Sequence, residues 1–174
     1  VAARKHATGA TKESLSFGLR PTINMIPVNK ITIKVPQVYP DATAGMQRLA
    51  GRKFYCRFDL KSQFHCFPLS EKSKQFTCVY VPSAAGTPML VRHRRCITGS
   101  TNTTAWCMNA MNEFFTEFFT GEEMKSIACF QDDVVIAHDD PKGLRRLARK
   151  FLLKLCTAKH ITLTPDKAEM GVDS

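Results

Sequence analysis

The chain has 174 residues, 44% of them hydrophobic, enough for one domain with a buried core and too many for a chain disordered by composition. Lys and Arg number 25 against 15 Asp and Glu, a net charge of +10 that favours a polyanionic partner, most often nucleic acid, beside the plainer reading of a solvated basic surface. The seven cysteines form no C-x-x-C pair and suit reduced thiols in the cytoplasm or nucleus. No apolar run reaches the roughly 18 to 20 residues of a membrane helix, and the N-terminus lacks the hydrophobic core of a secretion signal, so neither membrane insertion nor secretion is expected.

In chain order, residues 1–16 read as a loose basic arm, and residues 17–174 as one domain. Residues 17–35 mix β-branched side chains with Pro21 and Pro27, which suits short strands and turns. Asp41 is placed to cap a short helix carrying Met46 and Leu49, closed by Gly51. KFYCRFDL at 53–60 reads as a strand ending at Asp59, and QFTCVYV at 75–81 as another. Residues 82–101, around the basic VRHRR run, read as loop or strand plus loop. A helix is predicted over 103–119, because Cys107, Met111, Phe114 and Phe118 follow spacings of four, three and four and form a core stripe.

IACFQDDVVIA at 127–137 sets two apolar β-type runs around a polar Gln-Asp-Asp tip and predicts a hairpin. A second helix starts with Asp140 as cap and Pro141 at the first position. Its apolar face is Leu144, Leu147, Phe151, Leu152 and Leu155. Arg145, Arg146, Arg149, Lys150 and Lys154 cover the rest, as a solvated face or, alternatively, a template contact. There is no internal repeat. The Val at position 1 and the end just after an apparent strand suggest a piece of a longer protein.

Adjacent aspartates repel one another, and beside buried strands such a pair makes most sense around a divalent cation. Mg²⁺ takes oxygen ligands, and one or two carboxylates suffice next to phosphate oxygens. Asp132 and Asp133 sit at the predicted hairpin tip and Asp59 at the end of another strand. If those strands are neighbours, three carboxylates converge, as two-metal phosphoryl transfer requires. The bland alternative for a DD pair is a solvated turn, and that reading is given to Asp139 and Asp140.

The surroundings of these carboxylates resemble the reverse transcriptases of retroviruses and long-terminal-repeat retrotransposons, especially the gypsy-like group. LRPTINMIPVNKITI at 19–33 looks like the family's fingers segment. FDLKSQFHCFPL at 58–69 is similar to the palm motif DLKSGYHQIPL, and FQDD at 130–133 stands where the family has Tyr-x-Asp-Asp. TGSTNTTAWCMNAMNEFF at 98–115 is in register with FGLTNAPATFMRLMNEVF, and ITLTPDKAEMG at 161–171 resembles LKLNPKKCEFG.

The resemblance implies an α+β fold: a polymerase palm with an antiparallel sheet and packed helices, plus part of the fingers. Thumb, connection and RNase H regions are expected to be absent. It implies an RNA-directed DNA polymerase using Mg²⁺ or Mn²⁺, with an RNA or DNA template, a primer and deoxynucleoside triphosphates as partners. Asp59 and Asp132 would bind metal, and Asp133 would complete the set. Arg20 would hold the triphosphate, with a surface arginine as the alternative. The Leu60 backbone would lie near the triphosphate. Phe64 would meet the sugar edge, with a core phenylalanine as the alternative. Lys12 is a candidate second fingers cation. The sequence departs from the family at Thr98-Gly99 for Phe-Gly, at Asn102-Thr103-Thr104 for Asn-Ala-Pro, and at Ser62-Gln63-Phe64 for Ser-Gly-Tyr. These departures leave an alternative: a decayed copy that keeps the fold and nucleic-acid binding without catalysis.

Overall fold

The computed structural model describes residues 2–4, 19–36, 41–83, 86–158 and 161–173. Strand β1 (Ala2–Arg4) pairs antiparallel with β2 (Leu19–Pro21), so the expected arm contributes a strand; residues 5–16, with Lys12, lie outside the described residues. Residues 26–31, expected as strand and turn, form helix α1 (Ile26–Ile31) instead. Pro27 suits a first helical turn, and Asn24 Oδ1 accepts the Ile26 N–H at 3.0 Å. Asn29 then ties α1 to a distant loop: its amide donates to the Gly99 carbonyl at 2.8 Å and its Oδ1 accepts the Thr101 N–H at 3.0 Å. These tertiary bonds override the β propensity of the segment. Helix α2 (Ala42–Leu49) begins as expected, with the Asp41 side chain accepting from the Thr43 N–H, and the chain leaves it through Gly51 at φ +80°.

The centre of the protein is a four-stranded antiparallel sheet made of β3 (Phe54–Asp59), β6 (Ile127–Phe130), β7 (Asp133–His138) and β8 (Glu169–Asp173). Its strand order is β6-β7-β3-β8. Alternation gives the sheet two unlike faces. Cys56 and Phe58 of β3 and Val134 and Ile136 of β7 are buried in the main core; Arg57, Asp59 and Asp133 occupy the other face. Between β3 and the hairpin lie the short helices α3 (Gln63–Cys66) and α4 (Glu71–Lys74) and the separate hairpin of β4 (Cys78–Val81) and β5 (Met89–Arg92). The strand expected from residue 75 starts only at Cys78, because Gln75–Thr77 make a 3-10 turn.

Helices α5 (Thr103–Phe118) and α7 (Pro141–Thr157) cover the apolar face of the sheet; α5 matches its predicted span closely, and α7 starts at Pro141 with Asp140 as its cap, as expected. Cys107, Met111 and Phe114 are buried, as the stripe requires, while Phe118 is half-buried. Phe151 of α7 is fully buried, and its ring centre lies 5.2 Å from Phe58, 6.0 Å from Phe115 and 6.4 Å from Phe114. One aromatic cluster therefore joins β3, α5 and α7, which fixes the helices against the strand that carries Asp59. Helix α6 (Gly121–Met124) has a capping box between Thr120 and Glu123, and Lys150 of α7 reaches Glu123 at 2.6 Å.

Candidate active site

The expected hairpin forms. Phe130 pairs with Asp133, leaving Gln131 and Asp132 as a two-residue turn. Gln131 adopts φ +51°, a left-handed conformation that favours glycine or asparagine in such turns. The buried Met108 of α5 helps to hold it, its thioether accepting the Gln131 N–H at 3.1 Å. A backbone under local strain at a polar tip is common where side chains must be aimed.

The strands β3 and β7 are neighbours, as required for convergence, and the register sets Asp59 directly opposite Asp133. Such cross-strand partners have Cβ atoms roughly 4.5–5.5 Å apart on one face of the sheet. Asp132 lies in the adjoining turn, and its carbonyl accepts the Leu60 N–H at 2.6 Å, which locks the turn to the end of β3. The three side chains nevertheless do not close into one group. Among the described residues, no three His, Cys, Asp or Glu side chains are disposed to hold a metal ion. Two of the carboxylates are each paired with a cation.

Asp59 is almost fully buried, and Lys167 Nζ donates to its Oδ2 at 2.7 Å. Burial alone would raise its pKa. Hydrogen bonds from Lys167 and Thr164 and the charges of Lys167 and Arg57 outweigh burial and hold the carboxyl below its ordinary value. Asp133 is half-exposed and accepts from Arg57 Nε and Nη2 at 3.1 and 3.0 Å. Asp132 is exposed, and its carboxylate has no hydrogen bond or ion pair among the described residues. The thiol of Cys129, just before the turn, is pushed up to about 12 by burial and then by the charges of Asp132 and Asp133.

Sequence reasoning missed Lys167 and Arg57. Arg57 was readable, since alternation puts it on the face of Asp59, two residues on. Lys167 is 108 positions from Asp59 and reaches it only because the chain returns beside β3: Lys61 N–H donates to the Thr162 carbonyl, and Thr164 N–H to that of Asp59.

The expected nucleotide contacts fare unevenly. The Leu60 side chain is in the core, and its N–H, expected near a triphosphate, is engaged by the Asp132 carbonyl. Phe64, on α3, is half-buried and packs against the main core. Arg20 is in β2, but its side chain lies outside the described residues. Gln63 stands where the resembling family has glycine; it is 2% exposed, and its buried Nε2 has no partner among the described residues. The preceding Ser62 takes φ +51°.

The profile of a family described as "Reverse transcriptase (RNA-dependent DNA polymerase)" matches residues 11–174. None of the curated proteins compared matches the chain. Among solved structures, the native protease-reverse transcriptase of Prototype Foamy Virus aligns with a TM-score of 0.69 at 22% identity, over 87% of this chain and 19% of that one. A foamy viral protease-reverse transcriptase in complex with double-stranded DNA gives 0.73 at 16% identity, over 87% and 25%. The foamy viral protein in complex with RNA/DNA hybrid gives 0.72 at 16%, over 87% and 19%. The chain thus spans a fifth to a quarter of the length of these proteins, and at such identities the likeness is one of fold.

Proposed function

The chain belongs to the reverse transcriptase family, and on that premise we propose that it is the fingers-and-palm portion of an RNA-directed DNA polymerase from a gypsy-like retrotransposon or retrovirus-like element, working inside the cell. It would extend a primer on an RNA or DNA template, its substrates deoxynucleoside triphosphates. The primer 3′-hydroxyl attacks the α-phosphate and pyrophosphate leaves. The observation that carries this reading is the β3–β7 register, which sets Asp59 opposite Asp133 with Asp132 in the adjoining turn. Similarity to foamy viral proteins seen with duplex DNA and with RNA/DNA hybrid supports the template assignment.

The residues suit a divalent ion. The donors are carboxylate oxygens, the ligands Mg²⁺ and Mn²⁺ prefer, and one or two suffice beside phosphate. The cations that now engage Asp59 and Asp133 are half-exposed Lys167 and Arg57, whose long side chains are free to turn outward to water. Asp59 and Asp132 would hold the metal and Asp133 would complete the set. Bound there, the ions would supply positive charge to the in-line displacement. The chain's own contribution is position: the aromatic cluster anchors β3 and the Leu60–Asp132 bond fixes the turn. Arg20 would meet the triphosphate and Phe64 the sugar edge.

The test is Asp132→Asn, read by Mg²⁺-dependent primer extension. Loss of one charged group at the reacting centre should lower extension by at least about 100-fold. Folding stability should stay within about 0.5 kcal/mol, because Asp132 is exposed and its carboxylate is unpaired among the described residues. Primer-template affinity should stay level or rise slightly. Undiminished extension by Asp132→Asn would refute the catalytic assignment.

A further inference from the structure

Helix α7 carries a second charged surface that the carboxylate site does not use. Its 17 residues contain six Lys and Arg and no Asp or Glu. Two of the six are already engaged: Lys150 lies over the Phe119 ring and bonds Glu123, and Lys154 lies over the Phe118 ring. The other four, Lys142, Arg145, Arg146 and Arg149, are exposed and have no hydrogen bond or ion pair among the described residues. Their spacing of three, one and three puts them on one face of the helix. Together with Leu153 and the two engaged lysines they line one open groove.

This groove faces away from the carboxylates. The inner face of α7 meets the sheet through Leu144, Leu147 and Phe151, on the side of Phe58 and Val134. Asp59 and Asp133 are on the opposite side of the same strands. A helix layer about 10 Å across and the sheet itself separate the two surfaces.

We propose that the outer face of α7 is a second nucleic-acid site, which holds the phosphate backbone of an RNA segment other than the one being copied. Charge and shape both favour this occupant. The cations from Lys142 to Arg149 span about 10 Å at 1.5 Å per residue, the length of a few successive phosphates. Three of the four are arginines, whose planar fork pairs with phosphate oxygens in two places at once. A protein partner would need aromatic or large apolar anchors at the centre of the patch, and the groove offers Leu153 alone. The site goes beyond polymerisation and depends only on the helix face, so it stands or falls separately from the carboxylate chemistry.

The test is fluorescence anisotropy of a labelled hairpin RNA across a series of salt concentrations. Arg145→Gln/Arg146→Gln/Arg149→Gln is compared with the wild-type chain and with Lys53→Gln/Lys72→Gln/Lys125→Gln, which removes the same charge elsewhere. Circular dichroism checks that both variants fold. Every phosphate that the protein neutralises steepens the slope of log K against log salt by roughly 0.7 to 0.9, so the slope of the α7 variant should be shallower by about 2 to 3. That of the control should be shallower by less than about 1. Equal slopes for the wild type and the α7 variant, or equal changes in both variants, would overturn the proposal. Polyglutamate competing as well as RNA at matched charge would also overturn it, and would assign the face to an acidic protein.

Discussion

Lys167→Met tests how the carboxylate of Asp59 is kept charged inside the protein. Lys167 Nζ is 2.7 Å from Asp59 Oδ2; the Lys side chain is 56% exposed and the Asp side chain 10%. Removing the ammonium leaves a buried carboxylate with Thr164 and the charge of Arg57. The exposure of the lysine screens the pair, so the loss at neutral pH should be about 0.5–1 kcal/mol, the upper part of the range for surface pairs. For a chain of this size that lowers Tm by roughly 1–4 °C. The pH dependence carries the sharper signal. Asp59 has a folded pKa below its unfolded value, so its contribution is complete above the unfolded pKa. That contribution disappears as pH falls through the folded pKa. In Lys167→Met the folded pKa rises towards or past the unfolded one. The difference in stability between the two proteins should therefore be full at neutral pH and shrink in acid, over about pH 5 to 2. The assay is urea unfolding at several pH values with a chelator present, so that no divalent ion competes for Asp59. If the two stability curves differ by a constant amount over that range, or superimpose, the ion pair does not set the state of Asp59 and the reasoning fails.

Three further perturbations probe the scaffold around the site. Phe151→Ala removes the ring at the meeting point of β3, α5 and α7 and should cost about 3–5 kcal/mol in urea unfolding; a loss under about 1 kcal/mol would mean the cluster collapses freely around the gap. Gln63→Met replaces a buried amide, whose nitrogen has no partner among the described residues, with an apolar chain of like length, and should raise stability by about 1 kcal/mol; a lower Tm would show that the amide is satisfied after all. Phe64→Val should raise ribonucleotide use relative to deoxynucleotide use in primer extension, beyond any loss of stability from its packing against the core; an unchanged ratio makes Phe64 a core residue only.

Much was legible in the sequence because it rests on local chemistry. Period-four-and-three apolar spacing set α5, and Asp140-Pro141 set the start of α7, since helix caps and amphipathic faces are decided within a few residues. The apolar runs around Gln131 and Asp132 set the hairpin for the same reason. The carboxylates could be singled out, since charge beside buried strands needs a reason. Residues 26–31 could not be read correctly, because the bonds from Asn29 to Gly99 and Thr101 that hold the helix reach across about 70 positions. The state of the carboxylates was equally hidden. Which cation reaches Asp59 depends on the return of the chain beside β3, and a buried charge takes whatever partner the fold brings within hydrogen-bond range. Likewise, composition shows that α7 is basic, but only the packing of Lys150 and Lys154 against Phe119 and Phe118 separates the engaged cations from the four that make no bond among the described residues.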